Sequence, residues 1–200
     1  MKSCYMNDII EAGVDEAGRG PLFGRVYAAA VVLNPEMEYD NNMIKDSKKI
    51  SKKNLPLAEM YVKNMALDWA VAYSSEQRID EINILHATQE AMHKALDKLN
   101  VRPEFLLVDG NYFKPYKNTS CNCVVKGDDT YYSIAAASIL AKTARDKYIE
   151  ELCLENEELD ERYGIRTNMG YGARKHIEGI KMYGISKWHR KTFGICKNYE

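Results

Sequence analysis

The chain lacks several things that would have decided its class at once. No apolar run among its 200 residues approaches the roughly 20 that a membrane helix needs, and Met1-Lys-Ser-Cys-Tyr-Met-Asn-Asp8 has no apolar core for a signal peptide. These absences point to an intracellular, cytoplasmic protein with no membrane partner. Cysteine is scarce and odd in number. Cys4, Cys121, Cys123, Cys153 and Cys196 cannot all pair internally, and they lack the paired spacing of a zinc site, so they read as reduced packing residues. His86 and His93 are seven apart on one helical stretch and read as surface or boundary residues. There is no internal repeat and no low-complexity linker, and 200 residues suit one compact domain, 1–200, with a sizeable core.

Neither sign of charge prevails. A net charge of −1 rules out a polycation, but the charge is segregated. Lys45, Lys48, Lys49, Lys52 and Lys53 crowd one short stretch. Arg174, Lys175, His176, Lys187, His189, Arg190, Lys191 and Lys197 load the C-terminal end, and Glu150–Glu161 is acidic. An acidic face in solvent and basic patches near a site would give the same total. Basic patches neutralise phosphates, although each alone reads equally as a solvated face.

The patterning predicts strands at 9–14, 26–33, 69–74, 105–108 and 123–126. Helices are expected at 51–68 with Ser51 as N-cap, at 75–82, at 84–99, at 134–154 and at 174–183, with a loop between Gly164 and Gly170. The first three strands lie close in sequence and suggest an antiparallel meander. Helix-separated strands imply parallel pairing. The Ala- and Ser-rich first half of the 134–154 helix lets another element pack close.

Against this background stand four carboxylates at the ends of strand-like runs: Asp15 and Glu16 in Ile10-Glu-Ala-Gly-Val-Asp-Glu-Ala-Gly-Arg-Gly20, Asp109 in Phe105-Leu-Leu-Val-Asp-Gly110, and Asp128 in Val124-Val-Lys-Gly-Asp128. In α/β sheets chemistry gathers at strand ends. Like charges brought together there require a proton or a cation between them. An all-oxygen donor set points to Mg²⁺ or Mn²⁺, and two such ions can drive phosphodiester hydrolysis. Singly, each carboxylate reads as solvated at a loop start; four in the same setting do not. Asp15 and Glu16 are neighbours, so both can serve one site only if their strand ends there. Asp128 and Asp129 compete for the fourth position. No cationic side chain stands next to Asp15, Glu16 or Asp109 in the motifs that carry them. Gly18-Arg19-Gly20 is a tight turn or, because its N–H groups are bare, a binder of phosphate or hydroxyl. Tyr171, between Gly170 and Gly172, is a candidate stacking platform or a ring covering its own loop.

Gly13-Val-Asp-Glu-Ala-Gly-Arg-Gly-Pro21 resembles the signature of the ribonuclease HII family. Asp46-Ser-Lys-Lys-Ile-Ser51, Ile82-Asn-Ile-Leu85, Val108-Asp-Gly110, Lys126-Gly-Asp128, Ser133–Lys142, Arg145-Asp146, Gly170-Tyr-Gly172 and His189-Arg-Lys-Thr-Phe193 resemble its other blocks, in its order, over residues 9–193. The resemblance implies an α/β ribonuclease H-like fold: a five-stranded mixed sheet flanked by helices, with a basic, helical, substrate-contacting C-terminal region from about residue 155. It implies an endonuclease that hydrolyses the RNA strand of RNA–DNA hybrids and cuts on the 5′ side of ribonucleotides embedded in duplex DNA, leaving 5′-phosphate and 3′-hydroxyl ends. It makes Asp15, Glu16, Asp109 and Asp128 the catalytic ligands of two Mg²⁺ or Mn²⁺ ions, and leaves Asp129 as a cap of the following helix. Gly18, Arg19 and Gly20 then sense the 2′-hydroxyl. Tyr171 packs on the sugar at the RNA–DNA junction, and Lys48, Ser138 and Lys142 also contact substrate. Arg19 separates the chain from type III relatives. The chain departs from the family pattern at Gly24-Arg25, at Ala173 and at Ile185-Ser-Lys-Trp188. No segment marks an obligatory protein partner.

Overall fold

The structure, a computed structural model, describes residues 1–6 and 8–199. One mixed sheet has the order β3-β2-β1-β4-β5, with β1 Glu11–Ala17, β2 Val26–Val32, β3 Asp68–Ser74, β4 Phe105–Asp109 and β5 Ser120–Val124. The first three strands pair antiparallel and the last two join in parallel, as expected. The fifth strand begins three residues earlier than its pattern suggested and ends two earlier, before Lys126, which turns into the left-handed region at φ 56° and stops any extended run. Residues 110–119 make the β4–β5 crossover without a helix, so the helix-separation argument held only for β1 and β4.

The helices are α1 Leu55–Met65, α2 Glu76–Asp97, α3 Tyr132–Glu155, α4 Glu158–Tyr163, α5 Ile165–Asn168 and α6 Arg174–Tyr183. α1 starts later than expected, with Asn54 rather than Ser51 at its cap and Pro56 in the first turn, where its missing N–H costs nothing. The two helices expected at 75–82 and 84–99 run on as α2, broken at Asn83 (φ 65°, ψ 165°), whose side chain accepts from the His86 N–H at 3.1 Å and caps the second half. The loop expected between Gly164 and Gly170 is largely α5, preceded by α4. No helix among the described residues is long and apolar enough to cross a membrane.

Alternation along the strands divides the core. Ala29, Val31 and Leu33 face α1 and α3. Ala12, Val14, Ala28 and Ala30 face Ala91, Met92 and Ala95 of α2. β2 is buried along its whole length, which accounts for its unbroken apolar run. Gly13 marks where α3 presses hardest: a Cβ there would stand 2.1 Å from the backbone of Ser133. The first turn of α3 therefore lies directly on β1. A third cluster, including Phe23, Ile149, Leu159, Tyr163 and Ile180, ties α4–α6 to the second half of α3.

The charged segments resolve unevenly. Glu150, Glu151 and Glu155 face solvent as expected. Arg174, Lys175, Lys187, Lys191 and Lys197 are exposed, but His176, His189 and Arg190 are buried. Cys153 and Cys196 are buried, whereas Cys121 is exposed on the edge strand and packs nothing away.

Candidate active site

The register of the parallel pair builds the centre of the site. β1 pairs with β4 as far as Val14↔Val108. The next residues, Asp15 and Asp109, therefore come side by side, about one strand spacing (~4.8 Å) apart along the backbone. β1 does not end there, contrary to the expectation. It continues against β2 to Ala17, with Asp15 opposite Ala29 and Glu16 opposite Ala28. Alternation sends Asp15 toward α3 and Glu16 toward the α2 face. Beyond Val14 the β4 side of the strand is open, so both carboxylates line one cleft.

Each carboxylate is held. Asp15 is buried, accepts the Glu16 N–H at 2.7 Å and interacts with the Ser138 hydroxyl on α3. Asp109 is the last residue of β4, and its Oδ1 accepts the Gly127 N–H at 2.7 Å. Asp128 is buried in the 3-10 turn 127–129. Asp129 points out of that turn to Lys49 and is not the expected cap: the N-cap of α3 is Tyr131, which makes no side-chain cap bond.

Burial raises the Asp15 carboxyl well above its ordinary range, and Glu16 and Asp109 repel it further; the Ser138 and Glu16 hydrogen bonds only partly oppose this. Burial raises Glu16 as well, with Asp109 adding to the rise and Arg19 working against it. Burial, then Asp109 and Asp46, raise Asp128. Burial alone would lower the Lys48 ammonium, but Asp128, Asp46, Asp15 and Asp109 outweigh it and raise it. Three carboxyls thus resist ionising together in an all-oxygen setting, which is the electrostatic condition that a hard cation relieves. The donor set fits a divalent ion. As the side chains stand, no three His, Cys, Asp or Glu among the described residues converge to hold one. The reason is visible in their partners. Arg19 draws Glu16 at 3.3 Å, correcting the expectation that no cation stands beside it, Lys48 draws Asp128 at 3.8 Å, and Gly127 holds Asp109.

The cleft encloses about 260 Å³ and is lined by ten of the eleven expected site residues. Asp128 lies outside its walls and joins it through Lys48. Asp46 caps the 3-10 turn Ser47–Lys49 by accepting the Lys48 N–H at 2.9 Å, which presents Lys48 and sets Ser47 against Ser138 at 3.0 Å. Ser138 is therefore committed to Asp15 and Ser47. Lys142 is paired with Asp146 at 2.6 Å. Tyr171 is 51% exposed, and a Cβ on Gly20 would stand 3.5 Å from its ring, so the Gly18–Gly20 loop and Tyr171 share one wall. Ser47 and Arg145 also line the cleft and were not singled out from the sequence. Arg145 was findable: Ser138, Lys142 and Arg145 fall at i, i+4 and i+7 on one face of α3. Arg145 is buried, donates to the Met169 carbonyl at 2.7 Å and lies under Gly18, where a Cβ would stand 2.3 Å from its Nε.

The backbone behind Tyr171 is held by two buried imidazoles. His189 Nδ1 accepts the Ser186 N–H at 2.9 Å, so its proton sits on Nε2 and is donated to His176 Nε2 at 3.0 Å. His176 then carries its proton on Nδ1 and donates it to the Tyr171 carbonyl at 2.8 Å. Burial, with His176 alongside, pushes His189 down to about 3, and burial also lowers His176. Unfolded, His189 would bind its proton near 6.5. The unfolded chain therefore takes up more protons than the folded one between those values, and stability falls as the pH drops from about 6.5 toward 3. From pH 7.5 to pH 5, wild type should lose about 2 kcal/mol more unfolding free energy than His189→Gln, as measured by urea denaturation of both proteins. Equal losses would show that His189 is not held neutral. Of the departures from the family pattern, Ala173 leaves α6 without a side-chain cap, and Arg25 lies between the rings of Tyr73 and Tyr148, at 4.2 and 4.4 Å from their centroids.

Comparison with known proteins places this geometry. The family model described as Ribonuclease HII matches residues 12–196. The Ribonuclease HII of Parabacteroides distasonis is 50% identical over 186 residues, 93% of this chain and 90% of that one. That of Phocaeicola vulgatus is 47% identical over 192 residues, 96% of this chain and 92% of that one. Among solved structures, the crystal structure of the ribonuclease H2 from Pyrococcus horikoshii OT3 superposes with a TM-score of 0.76 at 25% identity, covering 95% of this chain and 96% of that one.

Proposed function

Because the chain belongs to the ribonuclease HII family, and is thus a ribonuclease H that cleaves the RNA strand of RNA–DNA hybrids, we propose that it works by two-metal-ion hydrolysis and also cuts on the 5′ side of single ribonucleotides in duplex DNA. Asp15, Glu16, Asp109 and Asp128 would hold the ions, Mg²⁺ or Mn²⁺, which when bound supply an activated water and stabilise the leaving 3′-oxygen. The observation that carries the reading is the Asp15–Asp109 register, set in a cleft whose other wall is Gly18–Gly20 and Tyr171.

The remaining residues act by position. Ser138 and the Gly127 N–H aim Asp15 and Asp109. The bare N–H groups of the 18–20 loop meet the 2′-hydroxyl that distinguishes RNA from DNA. Arg19 and Lys48, now paired with Glu16 and Asp128, are released toward phosphates when those carboxylates turn inward. Lys142 adds positive charge beside them. We read the chain as one catalytic domain, with the exposed Arg174, Lys175, Lys187, Lys191 and Lys197 meeting the nucleic-acid backbone.

The test is cleavage of duplexes carrying zero, one or four ribonucleotides, in Mg²⁺, Mn²⁺ or Ca²⁺. We expect no cutting of pure DNA, and cutting 5′ of the ribonucleotide in the other two with Mg²⁺ or Mn²⁺. Ca²⁺ is larger and looser in its coordination. It should support hybrid binding without turnover. Failure to cut at one ribonucleotide would remove the finer specificity, and rapid turnover in Ca²⁺ alone would remove the two-ion reading.

A further inference from the structure

Two adjacent residues of the C-terminal segment, His189 and Arg190, take no part in the chemistry above, yet they reach both elements that read the substrate. Arg190 is fully buried. Its Nη2 donates to the carbonyls of Gly18 (2.6 Å) and Arg25 (3.3 Å), its Nη1 to Arg19 (2.9 Å) and Pro21 (2.8 Å), and its Nε to Gly24 (2.8 Å). All five guanidinium donors are spent on the backbone of residues 18–25. Burial and the neighbouring Arg145 push this guanidinium down to about 9, which leaves it charged at neutral pH. His189 begins the directional chain that runs through His176 to the Tyr171 carbonyl. The backbone N–H of Arg190 donates to the Leu22 carbonyl at 2.8 Å, and the Leu22 N–H donates to Gly170 at 2.9 Å. The dipeptide is thus tied to the loop on one side and to the Tyr171 turn on the other.

We propose that His189 is a specificity-determining positioning residue: acting through His176, it sets the Tyr171 ring against the 18–20 loop that Arg190 anchors, and so sets the preference for an RNA-to-DNA step over continuous RNA. This rests on the reading of the loop and of Tyr171 given under Proposed function. The hydrogen-bond directions make the claim specific. His189 contributes an acceptor at Nδ1 and a donor at Nε2, and only the donor reaches Tyr171.

Two variants separate these roles. In His189→Asn the amide oxygen stands near the place of Nδ1, so Ser186 keeps its acceptor and His176 loses its donor. In His189→Gln the amide nitrogen reaches the place of Nε2, so His176 keeps its donor. Both remove the ring, so a purely structural residue would affect them alike. The quantity to read is the ratio of kcat/KM on a duplex with one ribonucleotide to that on a four-ribonucleotide duplex, at fixed salt. His189→Asn should lower this ratio about fivefold, the share of one lost buried hydrogen bond; His189→Gln should leave it near wild type. In a Tyr171→Ala background neither should move it further. Equal ratios for Asn and Gln, or a full Asn effect without the Tyr171 ring, would overturn the proposal alone. A ratio unmoved by Tyr171→Ala itself would instead overturn the reading of Tyr171, and the proposal with it. Should His189→Asn fail to fold, a lowered ratio in the folded His189→Gln protein would equally overturn it.

Discussion

Asp109→Asn should abolish cleavage and leave the fold standing. The amide keeps an oxygen to accept the Gly127 N–H, the contact that seats residue 109 at the end of β4, so the local backbone loses nothing. What disappears is the charge that Asp15, Glu16 and Asp128 all feel. Relieved of that repulsion, those carboxyls ionise more readily in the folded chain. Metal-free, the variant should be more stable at pH 7, because Asp15, Glu16 and Asp128 lose a like-charged neighbour. The gain should shrink as the pH falls and these carboxyls take up protons, since a protonated group no longer feels the charge of Asp109. The activity loss should exceed the roughly 10–100-fold that outer-shell changes cost at metal sites, since Asp109 sits beside Asp15 rather than behind it. Single-turnover cleavage in Mn²⁺ and thermal melts in EDTA provide the two readings. Activity near wild type would remove Asp109 from the catalytic set.

Tyr171→Ala should cost roughly tenfold to a hundredfold on a duplex with one ribonucleotide, since a stacking contact is worth about 1–3 kcal/mol. The ring is half exposed, lies against Gly20 and is carried on a turn fixed from behind by His176. A flat apolar face at that place would pack on a sugar that lacks a bulky polar substituent. Loop and ring together would define an RNA-to-DNA step, which the loop alone could not. Long hybrids offer many cleavage positions and more phosphate contacts, and should lose less. Comparing both rates before and after substitution, at constant ionic strength, decides the matter. A uniform loss on both substrates would make Tyr171 a loop residue and place junction choice elsewhere.

The sheet was legible because its signals are local. Apolar runs bounded by glycine and proline locate β1, β2 and β4, and short separations give the antiparallel meander. Asn83 shows the limit of periodicity: two helices were read correctly, but whether they join depends on a left-handed residue that a pattern of apolar positions cannot register. Asp15, Glu16 and Asp109 stood out as carboxylates near glycines in strand-like runs, and the register brings Asp15 and Asp109 together, although β1 runs on past Asp15 and Glu16 to Ala17. Their partners were not legible. That Arg19 turns back on Glu16 and Lys142 on Asp146 follows from side-chain geometry, and that Asp129 faces Lys49 instead of capping α3 follows from the turn at Lys126. The largest misreading was electrostatic. His176, His189 and Arg190 were counted with a basic surface, yet they are interior. Composition gives charge but not depth, and a guanidinium surrounded by carbonyls is indistinguishable in sequence from one in water.

The bonds from Arg190 to Gly18 and Arg19 also order how this chain is put together. They join positions 172 and 171 residues apart. During synthesis, β1, the loop and the carboxylates of β1 and β4 all leave the ribosome well before residue 190 does. Until then the loop lacks the group that satisfies its carbonyls, and Tyr171 lacks the imidazole chain behind it. Closing so long a loop costs little more than closing a medium one, because the entropy grows only with the logarithm of length, so the distance in sequence takes little from the stability of the clamp. In a growing chain the strands that carry Asp15, Glu16 and Asp109 thus precede the residue that ties the 18–20 loop down, and the five carbonyls of residues 18–25 find their guanidinium only when Arg190 arrives.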